Sequence, residues 1–210
     1  MLQTVKKAWN DFLRYYNERA KKYTEEAKLR GEEARKEHWI CWNESDLMMH
    51  LSRFIYRHLE EERIRKVEIH LDKNLSLNNF RKYNFKDKLN KLKNMINVER
   101  APKIDLIIAK EADFNIPFLL CGEAKCFHAS IENVSGKRRT LERDLDRDIK
   151  ELKAIKELYI AKEVVLIIFD DYYYLFDEEK SQMIEEKRKE AKKQGIKVLY
   201  SKSEAKLGRE

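Results

Sequence analysis

The sequence has little glycine, proline or cysteine. Five glycines and two prolines in 210 residues argue against a turn-rich all-β sandwich and exclude collagen-like and linker classes. Three cysteines cannot all pair within one chain, so no disulfide framework is expected. No apolar run approaches the roughly 18 residues of a membrane span, and the N-terminus lacks the apolar stretch of a signal peptide. These absences predict a soluble, cytoplasmic protein with no membrane partner.

Charge is abundant, and its positive excess is concentrated in one segment. Charged residues make up 40% of the chain, whereas 42% hydrophobic residues with 3 Trp, 10 Tyr and 9 Phe can still fill a core. Residues 63–93 carry ten Lys and Arg against three acidic residues, a net charge of +7 that equals the charge of the whole chain. A localised basic surface indicates a polyanionic partner. A solvated lysine-rich loop with no partner would look the same in the sequence.

Hydrophobic periodicity predicts an α/β layered fold in the order α-α-β-β-β-α-β-α-β. The expected domains are residues 1–42, a long N-terminal helix with a linker, and residues 43–210, a single globular domain. An aromatic stripe on the first helix favours packing on the domain or on a second copy over a coiled coil. The predicted helices are 2–37, 43–62, 137–160 and 178–194, with a further short helix around 86–96. The predicted strands are 66–72, 103–110, 117–126, 164–170 and 196–202.

The second helix begins at a good N-cap residue, Asn43. At about 100° per residue, Glu44 lies at the centre of its apolar face and Asp46 lies on the far side. An acidic residue on a core face breaks a local rule, and such positions tend to mark sites. The alternative is a rim carboxylate that complements the helix dipole. The apolar face consists of Leu47, Leu51, Phe54, Ile55 and Leu59.

Two apolar strands form a predicted hairpin that carries three charged residues. Glu123 and Lys125 are two residues apart and therefore share a face of their strand. With the hairpin tip near Phe114, Asp105 falls opposite Glu123. Acids and lysines are rarely buried unless they are paired or bind a metal, and two carboxylates suit Mg²⁺. The alternative is a buried cluster of ion pairs.

These residues resemble the motif of the PD-(D/E)xK nuclease superfamily. Pro102-Lys103-Ile104-Asp105 is followed, after seventeen residues, by Glu123-Ala124-Lys125, and the family places its Asp at a strand end and its E-x-K on the next strand. The order helix, three strands, helix, strand across residues 43–170 also matches. The departure is that Lys103 and Ile104 separate Pro102 from Asp105. The resemblance implies a restriction-endonuclease-like αβββαβ core with a central mixed sheet, extended here by the N-terminal helix and a C-terminal α-β unit.

The same resemblance implies Mg²⁺-dependent hydrolysis of DNA. The partners it implies are DNA and, where both strands of a duplex are cut, a second copy of the chain. Asp105 and Glu123 would hold Mg²⁺, for which Mn²⁺ could substitute, with the Ala124 carbonyl as a further ligand. Lys125 would position the attacking water. Glu44 would complete the site through a water or a second ion.

Further residues are candidates for contacts around this site. Asp148 lies within the apolar face of helix 137–160, where it could approach Lys125 or pair with an arginine. No Walker A sequence is present, so no nucleotide cofactor is expected, and the histidines lack zinc-site spacing. An inactive nucleic-acid-binding protein of the same fold and a structural or oligomerisation protein remain alternative functions. The candidate DNA-contacting residues are Arg81, Lys82, Lys86, Lys88, Lys137, Arg138 and Arg139.

Overall fold

A computed structural model describes residues 1–30, 41, 43–75, 83–111, 116–128, 134–171 and 178–202. Within these ranges the chain forms five helices and five strands. The helices are α1 (Leu2–Arg30), α2 (Glu44–Glu61), α3 (Tyr83–Ile96), α4 (Val134–Glu157) and α5 (Glu178–Lys193). The strands are β1 (Val67–Asn74), β2 (Lys103–Lys110), β3 (Phe118–His128), β4 (Ala161–Asp171) and β5 (Lys197–Lys202).

The strands form one mixed sheet in the order β1-β2-β3-β4-β5. The first three strands are antiparallel neighbours, whereas β3, β4 and β5 are parallel. Parallel neighbours need a crossover connection, and α4 and α5 supply the two crossovers. The predicted α/β class is therefore confirmed. The short helix expected around residues 86–96 is also present, as α3, and begins at Tyr83.

Helices cover both faces of the sheet. The buried residues of α1 and α2 pack with Leu106, Leu120 and Ala124 on one face. The buried residues of α3, α4 and α5 pack with Ile107 and Cys121 on the other. Since alternate residues of a strand point to opposite faces, β2 and β3 are buried on both sides, as their continuous apolar sequences predict.

Helix α1 lies against the sheet, which confirms the expected packing of its aromatic stripe. Trp9, Phe12 and Tyr16 are buried and surround Phe169 of β4, with the Phe12 and Phe169 rings 5.4 Å apart and nearly perpendicular. The helix was expected to continue to residue 37, but residues 31–37 lie outside the described residues.

Three smaller features of the fold concern the cysteines, a glycine after α5 and the character of the helices. Cys41, Cys121 and Cys126 are all buried, and none of the three forms a disulfide with another. Gly195 follows α5 with a φ of 71°, a conformation that suits glycine at a helix C-terminus. In the part of the chain that the structure describes, no helix is both long and apolar enough to cross a bilayer.

Candidate active site

The pairing of β2 with β3 brings the predicted motif residues together. Leu106 lies opposite Gly122, and Ile107 lies opposite Cys121. The next pair in this register is Asp105 and Glu123, which is the register expected from the hairpin. Because of strand alternation, both side chains lie on the same side of the sheet as Ile107, the side covered by α4.

The two carboxylates of this hairpin have very different environments. An oxygen of Asp105, Oδ2, accepts a hydrogen bond of 2.8 Å from the Ala124 N–H. Glu123 is only 4% exposed, and its Oε1 is buried with no hydrogen-bond partner among the described residues. Burial, followed by repulsion from Asp105, Asp148 and Glu151 and by a side-chain hydrogen bond with Asp105, raises the pKa of Glu123 well above its ordinary value. The Glu123 carboxyl thus favours either a proton, which it would share with the Asp105 carboxylate, or a cation beside it.

Lys125 projects from the same face of β3 and contacts α4. Its Nζ lies 2.8 Å from Oδ2 of Asp148 and donates to the Ala124 carbonyl at 3.1 Å. Burial alone would lower the pKa of Lys125, but the Asp148 carboxylate, with smaller effects of Asp105 and Glu44, raises it above the ordinary value. The ammonium group is therefore held charged and in a fixed position next to the carboxylates.

Helix α4 places two acids in this region, of which the sequence identified one. Asp148 was expected to approach Lys125 or an arginine, and it contacts both, with Arg147 Nη2 at 3.6 Å. Glu151 was missed, although it is buried and its Oε1 also has no hydrogen-bond partner among the described residues. Burial, followed by repulsion from Asp148, raises the pKa of Glu151 to about 8. The sequence did contain a signal for this burial. Glu151 lies three residues after Asp148 and four before the core residue Ile155, and such spacings place side chains on one face of a helix.

Glu44 is the first residue of α2 and approaches the cluster from a different element. The Asn43 side chain caps the helix by accepting a 3.0 Å hydrogen bond from the Asp46 N–H. Glu44 is half-buried, and its charge contributes to the raised pKa of Lys125, as expected for a residue near the motif. Asp46 was expected to face solvent, but it is also half-buried. The difference in exposure between Glu44 and Asp46 is therefore smaller than helical phase predicted.

The predicted DNA-contacting residues are only partly described. Lys86 of α3 is exposed. Lys88 donates to the Tyr159 carbonyl at 3.2 Å and lies 5.7 Å from the centre of the Tyr159 ring. Residues 81 and 82 lie outside the described residues, as do the side chains of 137–139, whose backbone forms the start of α4.

Asp105, Glu123 and the Ala124 carbonyl form an oxygen-rich donor set that fits a hard divalent cation. Mg²⁺ commonly takes one or two protein carboxylates and keeps waters and substrate oxygens for its other positions. Oε1 of Glu123, which has no hydrogen-bond partner among the described residues, is the observation that favours a cation here. Across the described ranges, no group of three or more His, Cys, Asp or Glu side chains is arranged to hold a metal, so the donor set offers two side chains at most.

Comparisons of this chain with protein-family models, with curated proteins and with solved structures find no match. The geometry of the site and the sequence motif are therefore the features that indicate a function for this chain.

Proposed function

We propose that this protein is a Mg²⁺-dependent deoxyribonuclease, an endonuclease that hydrolyses DNA phosphodiester bonds. The observation that carries the proposal is the Glu123 carboxyl. It is buried with no hydrogen-bond donor at Oε1 among the described residues, on the face of the sheet that it shares with Asp105 and Lys125. A carboxylate in that position is costly unless a proton or cation compensates it.

The order of elements supports the resemblance to the PD-(D/E)xK superfamily. Helix α2, strands β1 to β3, helix α4 and strand β4 follow one another as in that family, and α3 is an insertion between β1 and β2. Asp105 lies near the start of β2, and Glu123 and Lys125 lie on the adjacent β3. The proposed fold is accordingly restriction-endonuclease-like, with α1 added before it and α5-β5 after it.

In the proposed site, Asp105 and Glu123 would hold Mg²⁺, the Ala124 carbonyl would add a further oxygen, and Glu44 would act through a water. When bound, the ion would serve as a Lewis acid and as a template for in-line attack at phosphorus. Mn²⁺ also prefers carboxylate and water oxygens and could replace it.

Lys125 supplies the positive charge of the site. Its ammonium group would hold the attacking water or stabilise the negative charge that develops on the phosphate. Asp148 would act as a positioning residue, because its contact at 2.8 Å fixes the direction of a side chain that is otherwise flexible. Cutting both strands of a duplex would take two such sites, so a homodimer is part of the proposal.

A cleavage assay with matched variants tests the proposed activity. Duplex, single-stranded and branched DNA would be incubated with Mg²⁺, with Mn²⁺ and with EDTA. We expect cleavage only with a divalent cation, and a loss of roughly a hundredfold or more in Asp105→Asn, Glu123→Gln and Lys125→Met, since each removed contact should contribute several kcal/mol in the transition state. Glu44→Gln should reduce cleavage less.

Glu60→Gln is the matched control, because Glu60 is an exposed acid of α2, and it should cleave normally. DNA binding that falls with salt but never leads to cleavage would favour the inactive binding protein instead. Neither binding nor cleavage would favour a structural or oligomerisation role.

A further inference from the structure

Strand β3 and helix α4 carry charged residues at matching positions along their contact. Because β3 and β4 are parallel neighbours, the helix that connects them runs in the opposite direction to both. Lys125 of β3 contacts Asp148 of α4 at 2.8 Å, which fixes the alignment of the two elements. From this contact, Glu123 lies about 6.6 Å back along the strand, and Glu151 lies about 4.5 Å forward along the helix. Glu151 therefore lies beside Glu123, as Asp148 lies beside Lys125.

The thiol of Cys121 supports this placement of the two glutamates. Cys121 is buried and shares a face of β3 with Glu123, because the two are two residues apart. Burial raises the pKa of the Cys121 thiol, and the charges of Glu123 and then Glu151 raise it further. Repulsion from Glu151 also contributes to the raised pKa of Glu123. The two carboxyl groups thus lie close enough to act on each other and on one thiol.

Glu123 and Glu151 form a buried pair of acids. Glu123 is 4% exposed and Glu151 is 6% exposed, and Oε1 of each has no hydrogen-bond partner among the described residues. Arg147 is 60% exposed, and its contact, at 3.6 Å, is with Oδ1 of Asp148. Two neighbouring carboxylates in such a position are costly unless a cation or a proton lies between them.

The ion proposed for Asp105 and Glu123 does not compensate Glu151 directly. In the described part of the chain, no three His, Cys, Asp or Glu side chains are arranged around one metal position. A cation between Glu123 and Glu151 would therefore be a second ion, and Glu123 would contact both. Mg²⁺ suits a site with two carboxylates, because it keeps waters or substrate oxygens in its other positions.

We propose that Glu151 and Glu123 bind a second divalent cation, Mg²⁺ or Mn²⁺, beside the one at Asp105 and Glu123. The inference rests on the proposed function, which supplies the first ion, and it makes the site a two-cation centre. In such centres two ions about 3.5–4 Å apart stabilise both the attacking and the leaving oxygen at phosphorus. Glu151 adds to the sequence motif a ligand from α4.

Counting bound Mn²⁺ in the absence of DNA tests the proposal. Equilibrium dialysis and EPR spectra would be recorded near pH 8, where protons compete less for the carboxylates. We expect the unmodified chain to bind two Mn²⁺ and to give the EPR spectrum of a magnetically coupled pair, since the ions share Glu123. Glu151→Gln and Asp105→Asn should each bind one uncoupled Mn²⁺. In EDTA, Glu151→Gln should unfold at the parent temperature or above it, because it removes a buried acid, so a lost ion would not reflect a lost fold.

Glu157→Gln is the matched control, because Glu157 is an exposed acid of the same helix, and it should bind two coupled ions. A single ion in the parent, or a second ion that Glu151→Gln retains, would overturn the proposal and leave the proposed nuclease function standing. Two coupled ions in a chain that never cleaves DNA would support the second site and overturn the nuclease function. No bound ion would overturn both and would identify a proton as the compensating charge.

Discussion

Glu123, Asp148 and Glu151 are acidic side chains in the interior, where acids are rarely found unless paired or bound to a metal. Burial is the largest cause of the raised pKa of all three. Among the described residues, only Asp148 has a cation within ion-pair distance, through Lys125 and Arg147. At the scale of single residues, the site therefore binds protons more readily in the folded chain than in the unfolded chain.

The raised pKa of Glu151 makes the stability of the fold depend on pH. Its pKa is about 8 in the fold against an ordinary value of 4.5, so between these values the folded state binds more protons than the unfolded state. The free energy of unfolding should then fall as pH rises through this window, by up to about 1.4 kcal/mol per pH unit for one group. Glu151→Gln should flatten the decline and be more stable than the parent near the upper end. Urea unfolding at several pH values measures the effect.

Glu157→Gln is the control for this experiment, since Glu157 is an exposed acid at the end of α4, and it should retain the parent dependence. A Glu151→Gln curve parallel to the parent curve would show that Glu151 titrates normally. Glu123 and Asp148 have pKa values raised in the same direction, so part of the decline should remain in the variant.

Asp148→Asn tests the positioning of Lys125. Without the carboxylate, the Lys125 ammonium loses its 2.8 Å partner and the main cause of its raised pKa. We expect kcat to fall about 10- to 100-fold, as for other residues that orient a group at a metal site, with little change in KM. The alkaline limb of the pH–rate profile should move to lower pH, a change that a purely structural role would not produce.

Asp146→Asn is the matched control on the same helix, because Asp146 pairs with Lys187 of α5 and not with Lys125. It should retain both kcat and the pH profile. If the two variants behaved alike, Asp148 would be a structural residue rather than a positioning one.

At the scale of elements, α1 is attached to the sheet through its aromatic side chains. Phe12 is fully buried, and its ring meets Phe169 edge-on at 5.4 Å. Phe12→Ala should lower the free energy of unfolding by about 3–5 kcal/mol, the usual cost of truncating a buried aromatic side chain. Asn10→Ala, at an exposed position of the same helix, should change stability by less than about 0.5 kcal/mol. If chemical denaturation gave the same loss in the free energy of unfolding for both variants, the Phe12 side chain would not be what attaches α1 to the sheet.

The elements also show how far the sequence could predict this structure. The register of β2 with β3 followed from strand alternation and from the polar residues between the strands, because a shift by one residue would expose an apolar face. Glu44 could be placed by helical phase, since Asn43 defines where α2 begins. Glu151 was missed because a charged residue in a highly charged helix is ordinarily taken as solvated, and only packing of α4 on β3 shows that it is buried. Helical phase likewise could not show that Asp46 is half-buried.

At the scale of the whole molecule, a chain of net charge +7 buries a cluster of acids beneath one helix. The net positive charge and the buried acids are compatible if the basic surface attracts a polyanion while a cation occupies the acidic cluster. The surface charge acts over a long range on an approaching polyanion, whereas the acids act only on an ion bound among them. Without a bound cation, burial and the repulsion between these acids disfavour their ionised forms, which is why the pKa values of Glu123 and Glu151 are raised.

Divalent cations should therefore stabilise the whole fold, independently of any catalysis. An ion that binds only the folded state adds RT ln(1 + [L]/Kd), which is about 2.7 kcal/mol at a hundredfold excess over Kd. The gain in Tm with Mg²⁺ should be larger near pH 8 than near pH 5, because protons compete for the same carboxylates. Glu123→Gln should abolish the gain and, without metal, be at least as stable as the parent, since it removes a buried acid that has no donor at Oε1 among the described residues. Glu60→Gln should respond to Mg²⁺ as the parent does. Identical thermal unfolding of the parent with Mg²⁺ and with EDTA at both pH values would contradict a cation site at Asp105 and Glu123 and would leave a proton as the compensating charge.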